Sequence, residues 1–149
     1  MSTFSFLKGI FGGDQSLSAE EQNKLFEELL FLTLSRASRS DLDISEVEIA
    51  KIQMILRDAA GIEATEQEIR TAGMSELYEV APLEKYAAKA SKGLSVEQRR
   101  LIVAALFEVI GIDGKYSLTE ADFFNHIADA MNLTPIELMG AHIDHPDHD

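Results

Sequence analysis

The sequence of 149 residues contains no cysteine. Disulfide bonds, thiolate nucleophiles, zinc–thiolate sites and iron–sulfur clusters are therefore excluded. The absence of cysteine is compatible with a reducing compartment. We expect a cytoplasmic protein, and attachment to the inner face of the membrane stays open as an alternative.

Long apolar runs are also absent. The best candidates, residues 29–34 and 101–107, are far shorter than the roughly 18 apolar residues that a membrane-spanning helix needs. The first residues have neither a basic beginning nor a small-residue cleavage site, so we expect no secretory signal peptide. We expect no transmembrane segment.

Positive charge is scarce. The chain has 13 Lys and Arg against 26 Asp and Glu, which gives a formal net charge of −13. Such a field repels nucleic-acid backbones, so we expect no nucleic-acid partner. Cations and other proteins remain as partners, including a membrane-associated complex, and a homodimer stays open.

Helix start signals recur along the chain after residue 17. In each, a Ser or Thr is followed three residues later by Glu or Gln, which is the capping-box pattern. The pairs are Ser18/Glu21, Ser45/Glu48, Thr65/Glu68, Ser95/Gln98, Ser117/Glu120 and Thr134/Glu137. Amphipathic runs lie between these signals, and no alternating strand pattern competes with them. We predict an all-α fold of six to seven short helices.

The chain repeats itself at a spacing of 72 residues. Asp41, Ser45 and Glu48 recur in register as Asp113, Ser117 and Glu120, each set after a long apolar helix. This repeat predicts two similar halves, at about 18–73 and 95–140, that pack around a pseudo-twofold axis. The helical domain then covers residues 18–140, between an apolar arm at 1–17 and a His/Asp-rich tail at 141–149.

The segments IDGKYSLTE (residues 112–120) and LTPIE (residues 133–137) resemble the TerB-like domain, a family named from bacterial tellurite-resistance protein B. The resemblance covers about residues 18–140. It implies an all-helical fold of two similar halves, in cytoplasmic bacterial proteins linked to tellurite or metal stress. It also implies that the paired acidic motifs bind metal and that the domain is not an enzyme. The first half departs from the pattern, because Leu42 replaces its Gly.

The two acidic turns are the first candidate metal site. Carboxylates suit calcium, magnesium or manganese. If the halves pack symmetrically, five carboxylates could converge: Asp41, Asp43, Glu48, Asp113 and Glu120. Capping alone would also account for the two glutamates, since Glu21, Glu68 and Glu137 occupy the same helix position.

The tail is a second candidate metal site. His142, His145 and His148 are spaced three apart with Asp between them, and imidazole suits zinc or nickel. A solvated polar end would have the same composition.

The first residues form an apolar arm. Phe4, Leu7 and Phe11 would share one face of a helix, and Gly12 and Gly13 would make a hinge after it. The arm either docks on the body of the protein or lies on a membrane surface. Membrane-surface helices normally have several basic residues, whereas this arm has only Lys8, so docking is favoured.

No catalytic motif is present. The sequence has neither a Gly-x-Ser-x-Gly elbow nor a Gly-rich phosphate loop. We expect a non-enzymatic acidic helical module that binds a divalent metal and acts in a tellurite or metal stress response through protein contacts. The alternative is a metal-independent, co-chaperone-like interaction scaffold, peripheral to the membrane through its arm.

Overall fold

The structure is a computed structural model that describes residues 5–9, 17–37, 46–74, 81–110 and 118–133. In these ranges all regular structure is helical, as predicted. The helices are α1 (Ser5–Lys8), α2 (Ala19–Ala37), α3 (Glu46–Ala60), α4 (Glu66–Ala72), α5 (Leu83–Ser91), α6 (Val96–Ile110) and α7 (Leu118–Ala130).

Three of the predicted capping boxes are confirmed, and they fix where α2, α4 and α6 begin. Before α4, the Thr65 N–H donates to Glu68 Oε1 at 2.8 Å and the Glu68 N–H donates to Thr65 Oγ1 at 3.1 Å. The same reciprocal pair joins Ser18 with Glu21 and Ser95 with Gln98. Each box satisfies backbone donors that the first turn of a helix leaves without a partner. The predicted caps Ser45, Ser117 and Thr134 lie outside the described residues.

A residue with a left-handed backbone conformation follows each of α3 and α7. Gly61 follows α3 with a φ of 67°, and the Ile62 N–H donates to the Leu56 carbonyl at 3.0 Å. This closure is typical of glycine because the conformation strains residues with a side chain. Asn132 follows α7 with a φ of 55°, and its carbonyl accepts a hydrogen bond from Arg99 at 3.0 Å.

Helix α2 lies at the centre of the fold. It packs against α1, α3, α4, α5 and α6, with its most extensive interface on α6. Its buried side chains therefore point in nearly every direction and make up much of the core: Leu25, Phe26, Leu29, Leu30, Leu32, Thr33, Leu34, Ser35 and Ala37. A helix that is apolar all round has to be enclosed by others.

Two helix pairs meet at the centre of the fold. α2 packs against α3, α6 packs against α7, and the pairs meet through α2 and α6. The 72-residue repeat itself stays a prediction. Within the described part of the chain, no helix is long and apolar enough to cross a membrane.

A buried hydroxyl in α2 generates the first testable prediction. Thr33 is fully buried, and its Oγ1 has no hydrogen-bond partner among the described residues. Burying an unsatisfied hydroxyl is costly, so Thr33→Val, which keeps the shape, should raise the free energy of unfolding by about 1 kcal/mol. Urea denaturation measures the change.

The matched control is Thr71→Val in α4, where the side chain is exposed. It should change stability by less than about 0.5 kcal/mol. A loss of stability in Thr33→Val would contradict the prediction, because it would mean that the hydroxyl is hydrogen-bonded in solution.

Burial of Tyr86 in α5 generates a pH prediction. Its side chain is 1% exposed, and desolvation raises the pKa of its phenol above the ordinary value of 10.0. The unfolded chain then loses this proton at a lower pH than the folded protein does. The contribution of the neutral phenol to stability is therefore intact below pH 10 and declines above it.

Tyr86→Phe has no proton to lose at this position. The difference in unfolding free energy between wild type and Tyr86→Phe should be constant up to about pH 9.5 and should shift in favour of the variant at higher pH. Denaturation series from pH 8 to pH 11 measure it. A difference that stays constant across that range would contradict the burial of Tyr86.

Candidate metal centre

Two glutamates of the repeated acidic motif are described, and both are buried. Glu48 is the third residue of α3 and is 4% exposed, while Glu120 is the third residue of α7 and is 3% exposed. Both take part in polar interactions within the protein. Full burial is rare for glutamate unless the carboxylate has partners.

The other glutamates at this helix position behave differently. Glu21 in α2 and Glu68 in α4 complete ordinary capping boxes, and both are exposed. Capping a helix therefore does not require a buried carboxylate. The capping pattern alone could not separate the two groups, because all four residues stand three positions after Ser or Thr. Burial distinguishes Glu48 and Glu120.

An ion pair shows which ends of α3 and α6 lie together. Lys51 Nζ is 3.0 Å from Glu108 Oε1. Lys51 lies one turn after Glu48, and Glu108 lies in the last turn of α6, five residues before Asp113. The first turns of α3 are therefore close to the point where the chain leaves α6 for the second acidic turn.

A cleft lies among the end of α2, the start of α5 and the middle of α7. It has a volume of about 310 Å³ and is lined by Arg36, Pro82, Leu83, Glu84, Phe123, His126 and Ile127. Arg36 lies in the last turn of α2, five residues before Asp41, and Phe123 lies one turn after Glu120. The end of α2 and the helix of Glu120 therefore face the same cleft.

Most of the predicted ligands lie outside the described residues. These are Asp41, Asp43 and Asp113 in the acidic turns and His142, His145 and His148 in the tail. In the described ranges alone, no group of three or more His, Asp or Glu side chains is arranged to hold a metal ion. Of the five predicted carboxylate ligands, the structure therefore describes Glu48 and Glu120.

The predicted docking arm is described at Leu7, and Phe4 and Phe11 lie outside the described residues. Leu7 is fully buried in the core. Sequence reasoning missed its polar partner: the Phe6 and Leu7 N–H groups donate to Glu28 Oε1 of α2 at 2.9 and 3.0 Å. No local pattern could have indicated it, because the contact spans more than 20 residues of chain.

Most of the chain matches the model of a known protein family. The family described as tellurite resistance protein TerB matches residues 27–142. The match begins inside α2 and extends beyond α7, so it includes both helix pairs and leaves out the arm. Comparisons with curated proteins and with solved structures gave no match.

The contrast in burial predicts a contrast in chemical reactivity. Carbodiimide-activated labelling with glycine ethyl ester modifies carboxylates that solvent reaches. Under native conditions Glu48 and Glu120 should be labelled several times more slowly than Glu21 and Glu68, and the difference should vanish in urea. Peptide mass spectrometry measures the four rates, and equal native rates would contradict the burial of the two motif glutamates.

Proposed function

The chain belongs to the TerB family, and we propose that it is a non-enzymatic module that binds a divalent cation and acts in a tellurite or metal stress response through contacts with other proteins. Asp113 and Glu120 would be the principal ligands, with Asp41, Asp43 and Glu48 completing the binding site. The observation that carries this proposal is the burial of Glu48 and Glu120 at a helix position where capping glutamates are exposed.

Burial supports a ligand role for an energetic reason. A carboxylate withdrawn from water needs compensation from hydrogen bonds or from positive charge. Glu48 and Glu120 both take part in polar interactions within the protein. A bound cation would be a further partner for an ionised carboxylate. A cation would also offset the local negative charge of a chain whose net charge is −13.

The two helix-end contacts suggest how the motifs combine. The Lys51–Glu108 pair joins the helix of Glu48 to the last turn of α6, which precedes Asp113 in the chain. The helix of Glu120 and the last turn of α2, which precedes Asp41 in the chain, line the same cleft. Each glutamate would then meet the acidic turn of the other half, and binding would require both halves to be packed together.

The donor set suggests which ions bind there. Carboxylate oxygens favour calcium, magnesium or manganese. Zinc or nickel would instead favour the imidazoles of His142, His145 and His148 in the tail. The two candidate sites therefore differ in ion preference as well as in position, and one set of titrations can separate them.

Calorimetric titration of the metal-stripped full chain tests the proposal. Calcium, magnesium or manganese should bind, and the Asp113→Asn, Glu120→Gln double variant should lose at least about tenfold in affinity. The matched control is Glu21→Gln with Glu68→Gln, which removes the same number of charges from exposed helix starts and should bind as wild type does.

Replacing His142, His145 and His148 with Gln in the full chain separates the tail from the turns. Binding of a hard cation should survive this change. Binding of zinc or nickel alone, abolished with the histidines, would contradict the carboxylate site, as would an equal loss of affinity in the double variant and its control.

Exposed apolar side chains favour a second candidate function, a metal-independent interaction scaffold of co-chaperone type. Val47 is 55% exposed on α3 and Met74 is 62% exposed after α4, and Met54 and Leu101 are also exposed. Such side chains commonly lie in contacts with other proteins. Equal recovery of a basic protein partner with and without EDTA would favour the scaffold over the cation-binding module.

A further inference from the structure

The attachment of α1 to the body depends on few groups. Helix α1 has four residues, and a helix of that length is not stable in water by itself. It packs mainly against α2, through the fully buried Leu7 and the partly buried Phe6. Its helical form therefore depends on staying docked.

A single carboxylate completes the docking. The N–H groups of Phe6 and Leu7 stand in the first turn of α1, where no intrahelical acceptor is available. Glu28 Oε1 accepts both, at 2.9 and 3.0 Å, from the middle of α2. Hydrogen bonds to an ionised acceptor are stronger than neutral ones, so much of the polar attachment depends on the charge of Glu28.

The composition of the arm differs from that of the body. Residues 1–13 contain Lys8 and no Asp or Glu, so all 26 acidic residues of the chain come after them. Phe4, Phe6, Leu7, Ile10 and Phe11 make the same segment strongly apolar. Phe and Leu are typical of the apolar side chains that enter the interface of a lipid bilayer, and with Lys8 as its single basic residue the arm would bind lipid mainly by apolar burial.

We propose that the arm is a lipid anchor held by a latch, which is the contact of Glu28 with the Phe6 and Leu7 N–H groups. In the docked form Leu7 is buried against α2. In the released form the arm inserts its apolar side chains into a lipid surface. The same side chain cannot be buried in the protein and in lipid at once. Docking and membrane binding therefore compete, and apparent membrane affinity is proportional to the released fraction of the arm. This inference is independent of cation binding at the acidic turns.

Two measurements on the full chain test the latch and the anchor separately. Amide hydrogen exchange at Phe6 and Leu7 reports release of the arm, and co-sedimentation with phosphatidylcholine vesicles reports lipid binding. Glu28→Gln should speed exchange at both amides about fivefold or more, because a neutral acceptor binds these donors more weakly. Vesicle partitioning should increase by the same factor. Exchange at Leu29, in the middle of α2, should not change, because the body stays folded.

Two further variants separate the contact of Glu28 from a general effect of charge and test the role of Leu7 in lipid binding. Glu27→Gln removes the same charge from the neighbouring residue of α2, whose contacts are with Asn23 and Lys24, and should change neither measurement. Adding Leu7→Ser to Glu28→Gln should keep exchange fast and reduce vesicle binding, since the released arm then lacks its buried leucine.

Three results would overturn the proposal. Unchanged exchange in Glu28→Gln would mean that Glu28 is not the latch. Faster exchange without added vesicle binding would mean that the released arm is not a lipid anchor. Faster exchange together with a concentration-dependent dimer, seen by light scattering, would mean that the released arm docks on a second copy of the chain rather than on lipid.

Discussion

The enclosure of α2 is the constraint on which the rest of the structure depends. The run from Leu29 to Leu34 is apolar on every side, so this helix is stable only when other helices surround it. Helices α3, α4, α5 and α6 supply those surfaces, and α1 adds a further contact. Most of the apolar burial that stabilises the fold is therefore organised around one helix.

The position of the candidate metal centre follows from the same packing. The acidic turns follow α2 and α6 in the chain, and these two helices share the most extensive interface among the described helices. Lys51 of α3 pairs with Glu108 near the end of α6, and α7 and the end of α2 line the same cleft. Glu48 and Glu120 are buried in the first turns of α3 and α7. A site assembled in this way would depend on the whole fold rather than on a single loop, and cation binding and stability would be coupled.

Local signals were sufficient to predict the helices but not the environment of their side chains. The reciprocal bonds of Ser18, Thr65 and Ser95 involve neighbouring residues, so the sequence alone predicted where α2, α4 and α6 begin. The repeat singled out Glu48 and Glu120 as candidate ligands, but the capping pattern could not predict that they are buried while Glu21 and Glu68 are exposed. The contact of Glu28 with α1 was missed because its partners are distant in the chain. Asp41, Asp43 and Asp113 remain predictions.

In the proposed site the buried motif glutamates lie beside a bound cation. The most direct test is paramagnetic broadening of amide signals by substoichiometric Mn²⁺ in the isotope-labelled full chain. Signals of residues 46–51 and 118–123 should broaden first, while those of the capping turns around Glu21 and Glu68 should stay sharp. Broadening confined to residues 141–149, or spread evenly over all exposed acidic residues, would contradict the proposed site.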